Sequence, residues 1–154
     1  MEGANPTVWL ETSHDAAFAS GGFAYVTAAG GALRGLVGGE RTPSLERIAL
    51  AGLAEAMKAA AHGTGLVIVS RARHVLAIPG RIAQAGDPPA EDLELWAPIA
   101  TALKSRAVRF VRADQAGAPT AFVAAWAELA RDKAKAQGAF RAAIPRPNLA
   151  KSGI

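Results

Sequence analysis

Thr7-Val8-Trp9-Leu10-Glu11-Thr12-Ser13-His14 alternates in side-chain character. Val8 and Leu10 fall on one face of an extended chain, and Trp9 and Glu11 fall on the other. Gly22-Phe23-Ala24-Tyr25-Val26-Thr27-Ala28-Ala29 follows, rich in aromatic and β-branched residues. A Gly30-Gly31 pair then leads into Ala32–Val37. Glycine supplies the positive φ that a tight hairpin needs, so these segments predict an antiparallel β-meander. The run Gly35-Leu36-Val37-Gly38-Gly39 has no Lys-Ser/Thr after it, so it is no phosphate-binding P-loop and is expected to end the third strand.

Outward from the meander, helical and extended periods alternate. Thr42 is placed to cap a helix with Pro43 at its first position, and Leu45, Ile48, Ala49, Leu53, Ala56, Met57 and Ala60 recur at helical spacing. His62 is expected in the turn that follows. Leu66–Val69 predicts a strand buried on both faces. A short helix over Ala72–Ile78 ends at Pro79-Gly80, and Ile82–Ala90 is expected as a loop broken by Asp87-Pro88-Pro89. A helix from Glu91 to Lys104 shows Leu93, Trp96, Ile99, Ala100 and Leu103 on one face. Ala107–Arg112 is a fifth strand, and a last helix over Thr120–Ala136 turns Phe122, Val123, Trp126, Leu129 and Ala130 inward. The order β-β-β-α-β-α-α-β-α predicts one α/β domain over 1–137: a mixed five-stranded sheet with helices on both faces. Residues 138–154, with Pro145, Pro147 and three basic residues, are expected to be a mobile C-terminal tail.

Composition narrows the function classes. Hydrophobic residues make up 51% of the 154, which excludes an intrinsically disordered chain. There is no cysteine, so disulfides, thiolate chemistry and Cys-based zinc sites are excluded. No apolar run reaches the roughly 20 residues that span a bilayer. The first residues lack the basic start and apolar stretch of a signal peptide, so a cytoplasmic location without a membrane partner is expected. The net charge of +4 is uneven: residues 1–103 hold 7 Lys/Arg against 10 Asp/Glu, whereas 104–154 hold 10 against 3. A basic C-terminal third points to phosphate-bearing partners.

The order of elements resembles the ribonuclease H fold, and local patterns match that family in register over about residues 7–136. Glu11 stands where the family has a first-strand Asp, with Gly21-Gly22-Phe23 following at the family's spacing. Leu45-Glu46-Arg47-Ile48-Ala49-Leu50 is similar to the segment carrying the family's catalytic Glu. Ala116-Gly117-Ala118-Pro119 and Ala127-Glu128-Leu129-Ala130-Arg131 resemble the loop and run of its last helix. The resemblance implies a metal-dependent endonuclease that cuts RNA in RNA–DNA hybrids, with two Mg²⁺ or Mn²⁺ ions held by four carboxylates. Such ions need hard anionic oxygens because two dications about 4 Å apart repel strongly.

Two of the four carboxylates are missing. Ser70-Arg71-Ala72 matches the segment of the third, which puts Arg71 in place of an Asp, and Ala127 stands in the position of the fourth. The family's mobile His would match Asp114 or Gln115. Arg71 is therefore expected to pair with Glu11 and Glu46 as a permanent counter-charge, leaving a pseudo-enzyme that needs no metal cofactor; the bland alternative has Arg71 in solvent beside Arg73. If a metal binds at all, Glu11 and Glu46 are its expected ligands, with Glu128, Asp132, Asp15 or Asp114 as candidates to complete a one-metal site. Arg106, Arg109, Arg112, Arg131, Lys133 and Lys135 are expected to form one basic face that binds an RNA–DNA hybrid or duplex. A divergent active nuclease and a non-catalytic scaffold or oligomerisation module are the alternatives, and the oligomeric state stays open.

Weaker signals have blander readings. Ser13-His14-Asp15 holds the residue types of a hydrolase triad, but consecutive strand residues point to alternating sides. His14, His62 and His74 lack the paired spacing of a zinc site. Trp9, Trp96 and Trp126 are expected to pack, with Trp96 also placed near the family's hybrid-binding ridge.

Overall fold

The structure is a computed structural model that describes residues 6–29, 32–60, 65–85, 91–113 and 117–154. The Gly30-Gly31 turn, His62, the Asp87-Pro88-Pro89 breaker, and Asp114 and Gln115 lie outside the described residues. Strands β1 (Thr7–Asp15), β2 (Ser20–Ala29) and β3 (Ala32–Arg41) form the expected meander, with Glu11 opposite Ala24 and Ala24 opposite Val37. Helix α1 (Leu45–Ala59) leads to β4 (Gly65–Ser70), which pairs parallel to β1. After α2 (Arg73–Leu76), α3 (Ile78–Ala85) and α4 (Leu93–Ser105), β5 (Ala107–Arg112) adds parallel to β4. The chain continues through α5 (Ala118–Gln137), β6 (Phe140–Ala143) and α6 (Arg146–Leu149).

The sheet is mixed, as expected, but has six strands in the order β5-β4-β1-β2-β3-β6 rather than five. The sixth comes from the segment read as a tail. Phe140–Ala143 pairs antiparallel with β3, Gly39 facing Phe140 and Leu36 facing Ala143. Ile144 and Leu149 are buried behind it, so 138–154 closes the sheet edge as part of the domain. A four-residue strand carries too little period to stand out, and Pro145 and Pro147, placed in the expected tail, here open the short α6.

Period-two alternation sorts the sheet into two faces. Val8, Leu10, Phe23 and Tyr25 pack with Ile48, Leu53 and Trp96 in a core shared with α1 and α4. Ala24, Val26 and Val37 pack with Val123, Ala127 and Ala130 of α5 on the other face. That second seam is built for close approach. A β-carbon on Gly39 would lie 2.5 Å from the Gly21 carbonyl oxygen and 3.0 Å from Ala134 Cβ, so β3 runs through Gly38-Gly39 rather than ending there.

Three local expectations shift. Ser44, not Thr42, caps α1: its hydroxyl accepts the Arg47 N–H at 3.0 Å, while Thr42 Oγ1 accepts the Ser44 N–H at 3.1 Å. Pro79-Gly80 lies inside the first turn of α3, where proline has no amide partner to lose, so helix replaces much of the expected loop. In α5, Leu129 is 60% exposed, and the smaller Val123, Ala127, Ala130 and Ala134 face the sheet. Leu93 of α4 is likewise exposed. Among the described residues no helix is long and apolar enough to cross a membrane.

Candidate functional site

Parallel pairing of β1 with β4 sets Trp9 opposite Val69, so the chains bring Glu11 and Arg71 together two residues further on. The Ser70 hydroxyl accepts the Ala72 N–H at 2.9 Å and shapes the turn that presents Arg71. Glu11 is only 4% exposed, and its Oε2 accepts the Arg71 backbone N–H at 2.8 Å. The Arg71 guanidinium also approaches: Nε lies 4.0 Å from the same oxygen, too far for a hydrogen bond. Burial pushes the Glu11 carboxyl above its ordinary range, and the Arg71 N–H and guanidinium pull only partly the other way. Glu11 lines an open cavity of about 410 Å³ with Thr12, Leu45, Arg71, Ala72, Arg73 and His74.

Glu46 is not part of this pairing. Its carboxylate binds the guanidinium of Arg81 from α3, and that guanidinium also lies over the Trp96 ring, 5.6 Å from its centre. Arg71 therefore meets Glu11 alone, where pairing with both acids was expected. Arg81 escaped the sequence reading because its segment was read as loop. Ala127 is fully buried in the seam between α5 and β2, where a β-carbon on Gly22 would stand 2.6 Å from its carbonyl oxygen. Asp132 binds Arg131, and Asp15 Oδ1 accepts the Ala17 and Phe18 N–H groups. Among the described residues no group of three or more Asp, Glu or His side chains gathers to hold a metal ion. One buried carboxylate whose neighbour is a permanent cation does not fit a pair of dications.

The six basic residues come from two parts of the fold. β5 is an edge strand, whereas α5 packs over β1, β2 and β3. Two strand spacings, roughly 10 Å, separate β5 from β1, the nearest strand that α5 covers. Arg109 and Arg112 lie exposed on β5, and Arg106 just before it reaches back to donate to the Gly65 carbonyl at 3.3 Å. On α5, Arg131 donates to Ser13 Oγ at 2.9 Å. Lys133 sits 4.8 Å from the Phe140 ring centre, and Lys135 sits 3.3 Å from that of Phe18. Arg41 donates to the Lys135 carbonyl at the end of the helix. β4 alone lies between β5 and the strands that α5 covers.

Ser13, His14 and Asp15 engage three different partners, which removes the triad: His14 Nε2 donates to the Thr42 carbonyl at 2.8 Å. Trp96 is fully buried, so it offers no face to a ligand. Arg73 and His74 line the cavity and were not chosen from sequence; their signal was their position just after β4, next to Arg71. A larger cavity of about 830 Å³ is lined by Tyr25, Leu33, Arg34, Ile144, Arg146 and Leu149 among others, with no carboxylate among them.

No protein-family model matches this chain, and no curated protein matches it.

Proposed function

We propose that the chain is a ribonuclease H-like domain that binds nucleic acid without cutting it. The reading rests on the resemblance, supported by an antiparallel meander followed by β4 parallel to β1 and β5 parallel to β4. The observation that carries the loss of catalysis is the meeting of Glu11 with Arg71. The position that the resemblance assigns to a third metal-binding carboxylate holds a cation, and its backbone N–H occupies the first carboxylate. The fourth position, Ala127, is closed into the α5 seam. Binding then depends on exposed cations such as Arg109 and Arg112 of β5, which neutralise phosphates and release counterions.

A labelled RNA–DNA hybrid incubated with the protein and Mn²⁺ tests the first half of this reading, with intact substrate as the expected result. Cleavage that Glu11→Gln abolishes would assign the divergent nuclease instead. Binding of the same hybrid, followed by anisotropy over a salt series, tests the second half. Affinity should fall steeply as salt rises. An affinity indifferent to salt, or no binding at low salt, points to the scaffold alternative.

A further inference from the structure

We infer that the cavity beside Glu11 is an anion site that takes a phosphate group through the guanidinium groups of Arg71 and Arg73. The inference rests on the proposed nucleic-acid reading for the source of that phosphate, but not for the existence of the site.

Four of the twelve arginines are held closely by acids. Arg47 holds Glu40, Asp92 and Glu94; Arg81 holds Glu46; Arg131 holds Asp132; and Arg141 holds Glu55. The two arginines at the end of β4 are not among them. Arg71 keeps 43% of its side chain exposed, and its 4.0 Å separation from Glu11 leaves its fork of donors uncommitted. Arg73 is exposed, and among the described residues it forms no ion pair. Arg71 and Arg73 both line the same cavity, with His74 beside them.

The one carboxylate in that wall does little to oppose an anion. Glu11 is buried, and one of its oxygens already accepts a backbone N–H. The lining holds two arginines against one such carboxylate, so it carries a net positive charge. A guanidinium presents paired N–H donors in a plane, which matches two oxygens of a phosphate. Two of them around one concavity suit the several oxygens of a phosphate better than the two of a carboxylate. Leu45 and Ala72 form an apolar part of the wall. The position at which the resemblance expects dications is thus recast for the opposite sign of ligand.

The test uses amide NMR spectra of the full chain, titrated separately with inorganic phosphate, with Mn²⁺ and with an RNA–DNA hybrid at low salt. Inorganic phosphate should shift the amides of Arg71, Ala72, Arg73 and His74. Arg73→Ala, whose side chain is exposed, should weaken that response roughly tenfold, as expected for losing charge-assisted hydrogen bonds. Arg71→Lys, which keeps the charge but loses the fork, should weaken it less. The hybrid should shift the same amides, and Arg73→Ala should lower its affinity too. Phosphate shifts without any hybrid binding would support the site and overturn the nucleic-acid reading. Hybrid binding with no phosphate shifts, and no effect of Arg73→Ala, would overturn the site and leave that reading standing. Saturable Mn²⁺ broadening centred on Glu11 would also overturn the site.

Discussion

A β-carbon placed on Gly22 would stand 2.6 Å from the carbonyl oxygen of Ala127 and 2.3 Å from the backbone nitrogen of Arg131. Both obstacles are helix backbone, which no side-chain rotation can clear. Gly22→Ala must therefore push α5 off the sheet, and it should destabilise the domain by about 3 kcal/mol. Denaturant unfolding followed by circular dichroism measures this. A loss under half of that value would mean that the seam is looser than its contacts require.

The same contact decides what a carboxylate at position 127 would do. Ala127→Asp would bury a charge between α5 and β2, where the nearby Arg131 is already engaged with Ser13 and Asp132. A destabilisation of roughly 3 to 5 kcal/mol is expected, with no gain of Mn²⁺-dependent cleavage. A stable, folded variant that cleaves a hybrid would show that the seam opens toward the Glu11 cavity.

Glu11 gives stability a defined pH dependence. Its carboxyl titrates above the ordinary 4.5, chiefly because it is buried, so the native state holds the proton more tightly than the unfolded chain. The contribution is fully present below 4.5 and is lost as pH rises through the raised value. Glu11→Gln keeps an oxygen for the Arg71 N–H and removes the buried charge. Relative to the wild type, the variant should gain thermal stability as the pH is raised from acid to neutral. A difference in melting temperature that does not change with pH would refute this.

Tyr25 provides a spectroscopic test at the alkaline end. It is the single tyrosine, so absorbance near the phenolate band reports its ionisation alone. Burial raises its pKa from 10.0 to about 12, with Glu55 adding to the effect and Arg34 opposing it. The native state keeps the proton longer than the unfolded chain, so stability falls as pH rises from 10 to about 12, by roughly 2 to 3 kcal/mol in all. Tyr25→Phe should flatten this decline, and a native titration near 10 would place the phenol in contact with solvent.

Arg47 ties three segments together, with contacts of 2.7 Å to Glu40, 2.7 Å to Asp92 and 2.9 Å to Glu94. Glu40 and Asp92 are largely covered, whereas Glu94 is open to solvent and its contact adds little. Arg47→Ala leaves two partly buried carboxylates without their cation. It should cost roughly 1 to 2 kcal/mol, and high salt should narrow the gap to wild type. A gap that salt does not change would assign the loss to packing instead.

The sequence by itself determined the meander, the helical stripes and the mixed α/β class, because alternation at Val8–Leu10 and spacing at Ile48–Ala49–Leu53 follow from backbone period and burial. The family resemblance also anticipated the Glu11–Arg71 encounter, which joins a residue inside β1 to the residue that follows β4. Only the tertiary structure decided that Glu46 belongs to Arg81, that Ala127 lies in a closed seam and that Phe140–Ala143 is a strand. Each of these depends on which side chains meet across the sheet, as Arg131 meets Ser13 from 118 residues away. Local periodicity says which face of an element is apolar, but it does not say which distant element covers that face.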